Sequence, residues 1–268
     1  MSITKKSLYR SLLKEVSNNP FCKSFQIFLK SPQRMLVSKL TDEDIKNSNN
    51  LIKDNNMNIF IHSSYLINIG NIIDEKIKTI IIDDFIIGER IGGKGVIFHV
   101  GKHCNRFTEE ECLDLIIDNI NMIIDDTEDL KIKFILETGC NSGTEVCTSI
   151  DKYKYIYDKI EKKERFGFCI DTCHIFVAGY DINEYIKEFT SIIEENLIKV
   201  IHFNNSMSKR GSKLDRHDNI FRGYISTDEL KKFGNYFFKK NIPIILETPD
   251  NDNKQIDIDT LYDWFSSI

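Results

Sequence analysis

Short apolar segments alternate with helical patterns along the whole of this 268-residue chain. Each segment is rich in β-branched or aromatic residues, as strands buried on both faces of a sheet are. Strict alternation of strand and helix favours a parallel sheet with right-handed crossover connections, and therefore an α/β fold. The segments are SFQIF (24–28), NIFIH (58–62), GVIFHV (95–100), KFILET (133–138), FGFCID (166–171), KVIHFN (199–204) and PIILET (243–248).

Three of the intervening segments begin with a helix-capping signal, which is an N-cap side chain followed three residues later by Glu. No repeat of solenoid length, no Pro-rich or Ser-rich linker and no shift in composition divides the chain. The sequence therefore predicts one domain over residues 1–268. The capping pairs are Thr108 with Glu111, Asp181 with Glu184, and Ser226 with Glu229.

A residue able to bind a metal ion closes each of six consecutive apolar segments. In a parallel sheet closed into a barrel, the strand ends lie on one face, where the following loops build the active site. Carboxylates gathered there would repel one another and imidazoles would lose water, so such a pocket requires cations. The six residues are His62, His99, Glu137, Asp171, His202 and Glu247.

A second group of ligand-type residues lies in predicted loops and consists of His174, Asp215 and His217. Five of the six histidines fall in these two groups, and only His103 is left over. Imidazole nitrogen mixed with carboxylate oxygen suits zinc, with manganese or iron as alternatives. The absence of thiolate ligands argues against a purely structural zinc site.

Composition places the chain among ordinary globular proteins, with 41% apolar residues and a formal net charge of −5. No segment approaches the roughly 20 apolar residues of a membrane span, and no signal peptide is recognisable. The seven cysteines are odd in number and lack Cys-x-x-Cys spacing. We therefore expect reduced core thiols in an intracellular protein that is neither secreted nor membrane-bound. The acidic charge argues mildly against a nucleic-acid partner.

Six motifs, in this order, resemble the successive motifs of the apurinic endonuclease IV family. The resemblance runs from about Phe25 to the C-terminus, and its most specific parts are DTCHIFVAGYD and GSKLDRH. The motifs are HSSYLIN (62–68), FHVGKH (98–103), LETGCNSG (136–143), CIDTCHIFVAGYD (169–181), HFNNS…GSKLDRH (202–217) and PIILETP (243–249).

The resemblance implies a TIM (β/α)8 barrel that binds three zinc ions, with Mn²⁺ or Fe²⁺ as substitutes. Carried over position by position, it gives the first ion His62, His99 and Glu137. It gives the second ion Glu137 as a bridging ligand with Asp171, His202 and Glu247, and the third ion His174, Asp215 and His217.

The same resemblance implies hydrolysis of the phosphodiester 5′ to an abasic site in duplex DNA, as a step of base excision repair. Glu137 and Glu247 would orient a metal-bridging hydroxide, and the products would be a 3′-hydroxyl and a 5′-deoxyribose phosphate. Arg34, Tyr65 and Leu66 match positions that enter the DNA at the lesion. We expect a monomer, because one enzyme surface must bend and enclose the duplex.

Bound metal would weaken the objection from net charge. Three divalent ions would add +6 to the formal −5 and leave the protein near +1, with the positive charge in the pocket that meets phosphate. Cationic side chains in or beside the GSKLDRH segment would reinforce that face. They are Lys209, Arg210, Lys213, Arg216 and Arg222.

Two departures from the family pattern stand out. The chain starts MSITKKSLYRSLLKE where family members carry a strand with a Gly-x-His-x-Ser motif, so we expect a first strand that is shortened or missing. Asn205 stands where an Asp is usual. Neither position belongs to the implied ligand set, so the departures bear on barrel closure and DNA contact rather than on the chemistry.

Two other functions fit parts of the pattern. A sugar isomerase or epimerase of the related metal-dependent barrels also gathers Glu, Asp and His at strand ends, but it needs one or two metals and no third ligand group. A non-catalytic lesion-binding homologue would bind abasic duplex without cutting it. Metal content separates the nuclease from the isomerase, and incision separates it from the binding protein.

Overall fold

A computed structural model describes residues 7–36, 38–146 and 149–266 of the chain. The described residues form two compact units, each made of three chain segments. The first unit takes its described residues from Met1–His99, Asp114–Leu136 and Ile160–Phe166. The second takes them from Val100–Leu113, Glu137–Lys159 and Gly167–Ile268. A single domain over residues 1–268 stays a prediction.

Helices and strands alternate along the described chain. The strands are β1 (Ser24–Ile27), β2 (Asn58–His62), β3 (Gly95–Phe98), β4 (Lys133–Glu137), β5 (Phe166–Asp171), β6 (Ile198–His202), β7 (Asn205–Ser206), β8 (His217–Asp218) and β9 (Ile244–Ile245). The α-helices are α1 (Leu8–Asn18), α2 (Asp42–Asp54), α3 (Glu75–Ile91), α4 (Glu109–Asp126), α5 (Ile150–Lys159), α6 (Thr172–Ala178), α7 (Ile182–Ile192), α8 (Thr227–Phe238) and α9 (Lys254–Phe265).

In the first unit, parallel strands pair in chain order: β1 with β2, β2 with β3, and β3 with β4. The register sets Val96 beside Phe134, and aromatic rings fill the core around them. The rings of Phe98 and Phe134 stack with centroids 4.4 Å apart, and Phe85 of α3 lies 6.2 Å from Phe98. The strand pattern predicted that Val96, Phe98 and Phe134 would be buried, and Phe85 of α3 packs against them.

In the second unit, β5 pairs with β6 and β6 with β9, again in parallel. The short strands β7 and β8 form an antiparallel pair that holds Ser206 beside His217. All seven predicted strands are present, so the strand part of the sequence prediction is confirmed. The pair β7 and β8 was not predicted, because two-residue strands leave no periodicity to detect.

The last predicted strand is shorter than its apolar pattern. Six residues, PIILET, were predicted, but β9 spans only Ile244–Ile245. The Ile245 carbonyl still accepts the N–H of Phe203 at 2.8 Å. Two residues later, the N–H of Glu247 donates to the side-chain Oδ1 of Asn204 at 2.8 Å, so the backbone ladder has ended.

The predicted helix caps are present. The N–H of Thr108 donates to Glu111 Oε2 at 2.8 Å, and the N–H of Glu111 donates to Thr108 Oγ1 at 3.2 Å. Ser226 and Glu229 form the same reciprocal box at the start of α8. Asp181 accepts two N–H groups from the first turn of α7. Local sequence therefore fixes where these helices begin.

The helix at the start of the described chain is capped across space. The carboxylate of Asp44, in α2, accepts the N–H of Leu8 at 2.7 Å and the N–H of Tyr9 at 3.2 Å. An acidic group is favourable there because the first amides of α1 have no intrahelical acceptor. The shortened or missing first strand was predicted at the extreme N-terminus, and residues 1–6 lie outside the described residues.

Two further expectations concern the cysteines and the membrane. The six cysteines among the described residues form no disulfide, in agreement with the prediction of thiols, and Cys147 lies outside the described residues. None of the helices in the described part of the chain is long and apolar enough to cross a membrane.

Candidate metal centre

The candidate ligands lie where the strand pattern placed them. His62, Glu137, Asp171 and His202 are the last residues of β2, β4, β5 and β6. His99 directly follows β3, and Glu247 stands two residues beyond β9. The sheet therefore fixes the backbone at or next to five of these side chains, whereas the backbone N–H of Glu247 is held by Oδ1 of Asn204.

Four ligand-type side chains of the second unit converge, and we call them the four-ligand cluster. They are Glu137, Asp171, His202 and Glu247, and each offers an atom within 4.8 Å of the others. Nδ1 of His202 lies 2.8 Å from Glu137 Oε1 and 3.0 Å from Glu247 Oε2. The side chains of Glu137, Asp171 and His202 are at most 1% exposed. The cluster is thus largely buried, with only Glu247 partly exposed at 18%, and it is rich in negative charge.

Three more side chains of the same unit form a second group, the three-ligand cluster. They are His174, Asp215 and His217. Nε2 of His174 lies 3.2 Å from one carboxylate oxygen of Asp215, and Nε2 of His217 lies 3.2 Å from the other. No described residue forms a hydrogen bond with the buried Nε2 of His217. One ligand atom from each of the three side chains therefore lies within 4.8 Å of the others, close enough to hold one ion.

Backbone carbonyls fix which nitrogen of these rings carries the proton. Nδ1 of His174 lies 2.8 Å from the carbonyl oxygen of Thr138, and Nδ1 of His217 lies 3.3 Å from that of Glu247. A carbonyl oxygen can only accept, so each Nδ1 is the donor. Nε2 of the neutral ring then carries the lone pair that a metal needs, an arrangement typical of metal-binding histidines.

The two clusters adjoin. Nε2 of His217 lies 3.6 Å from Asp171 Oδ2, and Nδ1 of His174 lies 3.6 Å from Glu137 Oε1. Together they bring four carboxylates and three imidazoles into one contiguous region of the second unit. Asp171 belongs to the four-ligand cluster but also contacts the three-ligand cluster, because its Oδ1 accepts the N–H of His174 at 2.8 Å.

The carboxylates of the region hold protons on its histidines. Burial opposes the charged form of His174, but Asp171 and Asp215 outweigh it and hold its pKa well above the ordinary value. Burial likewise opposes charge on His217, yet Asp171 and Asp215 raise its pKa to about 9. For His202, burial is outweighed by its neighbours, Glu247 and Glu137 among them, and the pKa is again well above the ordinary value.

The pKa values of the neighbouring carboxyl groups are shifted as well. Burial raises the pKa of Asp171 above its ordinary value. Burial also acts to raise the pKa values of Glu247 and Asp215, but the neighbouring imidazoles hold both below their usual range. Protonated histidines thus supply the positive charge that the carboxylates require. Divalent cations would supply the same charge and leave the imidazoles neutral as ligands.

Thiols lie beside both clusters but are poorly suited to bind a metal. Cys169 lies near Glu137 and His202, and Cys173 lies near Asp171 and His217. Burial raises the pKa of each thiol to about 12. Since a thiolate is the ligand form, oxygen and imidazole nitrogen are the better donors here. This donor set fits zinc, with manganese or iron as alternatives, as the sequence predicted.

The first unit contributes its own pair of candidate ligands, His62 and His99. Their ring centroids lie 4.9 Å apart at an interplanar angle of 86°. Nδ1 of His62 donates to the carbonyl oxygen of Ser63 at 2.8 Å, which again makes Nε2 the nitrogen with the lone pair. Tyr65 stacks on the His99 ring with centroids 5.4 Å apart, so an aromatic side chain covers the pair.

The predicted DNA-contacting side chains are exposed on two loops of the first unit. Tyr65 is 50% and Leu66 54% exposed, and Arg34 is exposed as well. The carbonyl oxygen of Pro32 joins the two loops, since it accepts the N–H of Tyr65 at 3.1 Å and the hydroxyl of Ser64 at 2.8 Å. Exposed side chains on two loops that the Pro32 carbonyl joins are available to contact a bound molecule.

Directly before the GSKLDRH loop, the positive charge of one arginine is compensated by acidic residues. Arg210 pairs with Asp181 at 3.2 Å and with Glu229 at 3.5 Å. Arg216 directs one guanidinium nitrogen to the carbonyl oxygen of Asp215 at 3.2 Å. The contribution of this loop to DNA binding stays a prediction.

Sequence reasoning missed Asn204, which is fully buried between two of the candidate ligands. It lies in the segment HFNNS (202–206), which carries one signal in the sequence. A polar pair that begins two residues after a strand ending in a candidate ligand histidine is unusual unless the polar groups have specific partners. The partners themselves come from distant segments and leave no trace in local sequence.

The chain is similar to known proteins in both sequence and fold. The xylose isomerase-like TIM barrel family model matches residues 22–267. A protein of Phocaeicola vulgatus named "Probable endonuclease 4" is 35% identical over 242 residues, which cover 85% of this chain and 85% of that protein.

Solved structures give the fold. Endonuclease IV from Thermus thermophilus matches with a TM-score of 0.85 at 22% identity, covering 100% of this chain and 98% of that chain. A D-tagatose 3-epimerase-like protein matches with a TM-score of 0.73 at 17% identity, covering 99% and 96%. The predicted TIM-barrel fold is confirmed by these matches.

Proposed function

Because this chain belongs to the endonuclease IV family of xylose isomerase-like TIM barrels, we propose that it is a DNA-repair nuclease acting at abasic sites. It would hydrolyse the phosphodiester 5′ to the abasic site in duplex DNA and leave a 3′-hydroxyl and a 5′-deoxyribose phosphate. The reaction would serve base excision repair in a compartment that holds DNA, and the protein would act as a monomer.

The adjoining clusters of the second unit carry this proposal. Seven ligand-type side chains meet there, and the rings of His174 and His217 are oriented by backbone carbonyls in the way that metal ligands are. One metal would not use seven donors of this kind, so the region fits more than one ion. The His62 and His99 pair of the first unit would serve the further ion that the family resemblance implies, giving three zinc ions per chain.

Zinc, when bound, supplies activation of water near neutral pH and neutralisation of charge at the phosphodiester. The protein's own groups would then hold and orient the reactants. The carboxylate of Glu247, whose Oε2 lies 3.0 Å from Nδ1 of His202, would accept hydrogen bonds from water. Glu137, whose Oε1 lies 2.8 Å from the same Nδ1 of His202 that Glu247 approaches, would share that role.

Recognition of the lesion would fall to the first unit. Tyr65 and Leu66 would fill the space left by an extruded abasic sugar, and Arg34 would contact the neighbouring DNA. Extruding an abasic nucleotide costs less than flipping a paired base, because neither pairing nor base stacking is lost. That difference would provide part of the selectivity for damaged sites.

A sugar epimerase is the second candidate, because a D-tagatose 3-epimerase-like protein shares the fold. The three-ligand cluster argues against it. An epimerase of this type needs one or two metals at strand ends, and a separate group of His174, Asp215 and His217 would have no use. Zinc content of about three per chain supports the nuclease, and one or two supports the epimerase.

The experiment that tests the proposal compares two duplexes that differ only in one abasic-site analogue resistant to β-elimination. Protein replete with zinc should cut the modified duplex and leave the matched undamaged duplex intact. Removal of metal by a chelator should stop cutting, and return of zinc should restore it. A protein that binds three zinc ions and never cuts the modified duplex would overturn the nuclease proposal and leave the lesion-binding homologue.

A further inference from the structure

Asn204 joins two candidate metal ligands through its side chain. It follows β6 by two residues and is 0% exposed. Its Nδ2 donates to Asp171 Oδ2 at 2.8 Å, and its Oδ1 accepts the N–H of Glu247 at 2.8 Å. One amide group therefore holds the side chain of one ligand and the backbone of another.

The contact with Asp171 fixes the orientation of that carboxylate. Oδ1 of Asp171 already accepts the N–H of His174 at 2.8 Å, as the N-cap of α6. With Oδ2 held by Asn204, rotation of the carboxylate would break one hydrogen bond or the other. Each carboxylate oxygen has a second lone pair, so Asp171 keeps a site for a metal while its direction is set.

The contact with Glu247 reaches both clusters. Two residues after β9 ends, the N–H of Glu247 donates a hydrogen bond to Oδ1 of Asn204. The carbonyl oxygen of the same residue accepts from Nδ1 of His217 at 3.3 Å. The position of the Glu247 backbone thus affects the Glu247 carboxylate of one cluster and the ring of the other.

Asn204 is itself held by contacts that do not involve its side chain. Its N–H donates to Thr172 Oγ1 at 2.8 Å, and the Thr172 hydroxyl donates to its carbonyl oxygen at 2.6 Å. A change of side chain at position 204 leaves these two hydrogen bonds available. The effect of a substitution can therefore be assigned to the amide group rather than to displacement of the backbone.

We propose that Asn204 is a positioning residue, which sets the metal affinity of the four-ligand cluster by holding Asp171 and Glu247 in their binding orientation. The inference rests on the proposed metal-dependent function and deepens it. Asn is suited to this task because one side chain both donates and accepts. Asp has the same shape and can accept, but it cannot donate and adds a negative charge beside Asp171.

The test uses Asn204→Asp and Asn204→Ala, which remove the donor alone or the donor and the acceptor. The matched control is Asn219→Asp. Asn219 is 1% exposed and its Nδ2 donates to the buried carboxylate of Asp257 at 2.6 Å, so the control makes the same chemical change beside a carboxylate outside the clusters.

Zinc binding by the metal-free full chain is measured with Zn²⁺ alone, by competition against a chelator of known affinity. Both Asn204 variants should bind one zinc ion about 10- to 100-fold more weakly, the usual effect of removing a group that orients a ligand. The control should keep wild-type affinity. On abasic duplex, the Asn204 variants should lose kcat at limiting zinc and recover part of it in excess zinc, with KM for DNA unchanged.

The outcomes separate this inference from the proposed function. If the wild-type chain binds no zinc, the metal-dependent function fails. If the wild-type chain binds zinc and the Asn204 variants bind it equally well, the positioning role is wrong. Equal loss of unfolding temperature in the zinc-bound and metal-free states, including failure of the metal-free variants to fold, would show a merely structural role and would also overturn the inference.

Discussion

Nδ1 of His202 meets Oε1 of Glu137 at 2.8 Å, with side chains only 0% and 1% exposed. Removing both groups from water is costly, and a buried pair of this kind is often no more stable than apolar residues of the same size. The pair lies beside the carboxylates of Asp171 and Glu247, which indicates that these residues form a site for cations rather than stabilise the fold.

Loss of one ring should remove one zinc ion. His217→Ala deletes a member of the three-ligand cluster, so zinc content should fall by about one ion per chain and the incision rate should fall with it. Metal analysis after dialysis against buffered zinc gives the count.

The matched control for that count is His103→Ala, which removes a histidine of the same unit outside both clusters. It should keep the zinc content of the wild-type protein. Unchanged zinc content in His217→Ala would contradict the assignment of the three-ligand cluster.

A neutral substitute for Glu247 should separate binding from cutting. Glu247→Gln keeps the shape of the side chain and the backbone N–H that contacts Asn204, but it removes the charge to which we assign the orientation of water. Incision should fall by about 10²- to 10⁴-fold, the usual range for loss of a group that handles a proton in the reaction. Binding of abasic duplex should persist in a gel-shift assay.

Glu229→Gln serves as the control for that variant, since Gln can also complete the cap of α8. It should cut DNA at the wild-type rate. Substantial residual turnover by Glu247→Gln would remove the role proposed for this carboxylate.

Leu66 should contribute to recognition of the lesion without any effect on metal. The side chain is 54% exposed, so Leu66→Ala costs little stability. Affinity for abasic duplex should fall about tenfold, which is ~1.4 kcal/mol, while zinc content stays constant. Ile72→Ala, at a side chain that is 68% exposed in the same unit, is the control and should leave affinity unchanged. Equal effects from both variants would refute a specific role for Leu66.

The buried pair of Lys30 and Asp84 in the first unit makes a prediction about stability. Nζ of Lys30 lies 2.8 Å from Asp84 Oδ1 and donates to the carbonyl oxygen of Ile80 at 2.9 Å. At a pH above 7, where Asp84 is ionised in the wild-type protein, Lys30→Met leaves this carboxylate buried without its cation and should lower the free energy of unfolding by about 3–5 kcal/mol. The double variant Lys30→Met, Asp84→Leu should recover most of that loss in urea denaturation. Failure of the double variant to recover would contradict the argument from the unpaired charge.

Asp84 also predicts a pH dependence. Burial raises the pKa of its carboxyl from 3.8 to about 7, despite the nearby Lys30. A folded state with the higher pKa binds the proton more tightly than the unfolded chain, so this group contributes stability below about pH 4 and loses it as pH rises through 7. Measured in metal-free protein, the wild type should lose stability relative to Asp84→Asn between about pH 4 and pH 7. A constant difference across that interval would show that the pKa is not raised.

The sequence predicted much of the fold and of the candidate site, because the relevant signals are local. Strand periodicity, the capping pairs and the polar residue at each strand end are all read within a few positions. That is why the amino-acid sequence alone is enough to place His62, Asp171 and His202 at strand ends and to make them candidate ligands.

The remainder depends on contacts between distant segments. Asn204 and Asp171 are 33 positions apart, and nothing in the local pattern of HFNNS specifies that partner. The early end of β9 also depends on a distant residue. The N–H of Glu247 donates to the side chain of Asn204 instead of to the backbone of a neighbouring strand. Apolar residues continue through Leu246, so a rule based on composition extends the strand too far.

Mapping the cut on an end-labelled duplex with one abasic-site analogue is the most direct measurement. The product is sized against a sequence ladder and its 3′ terminus is offered to a polymerase. We predict a single cut immediately 5′ to the analogue, by zinc-replete protein only, with a terminus that the polymerase extends. A cut on the 3′ side, a terminus that cannot be extended, or no cut by protein carrying its full zinc content would contradict hydrolysis 5′ to the abasic site.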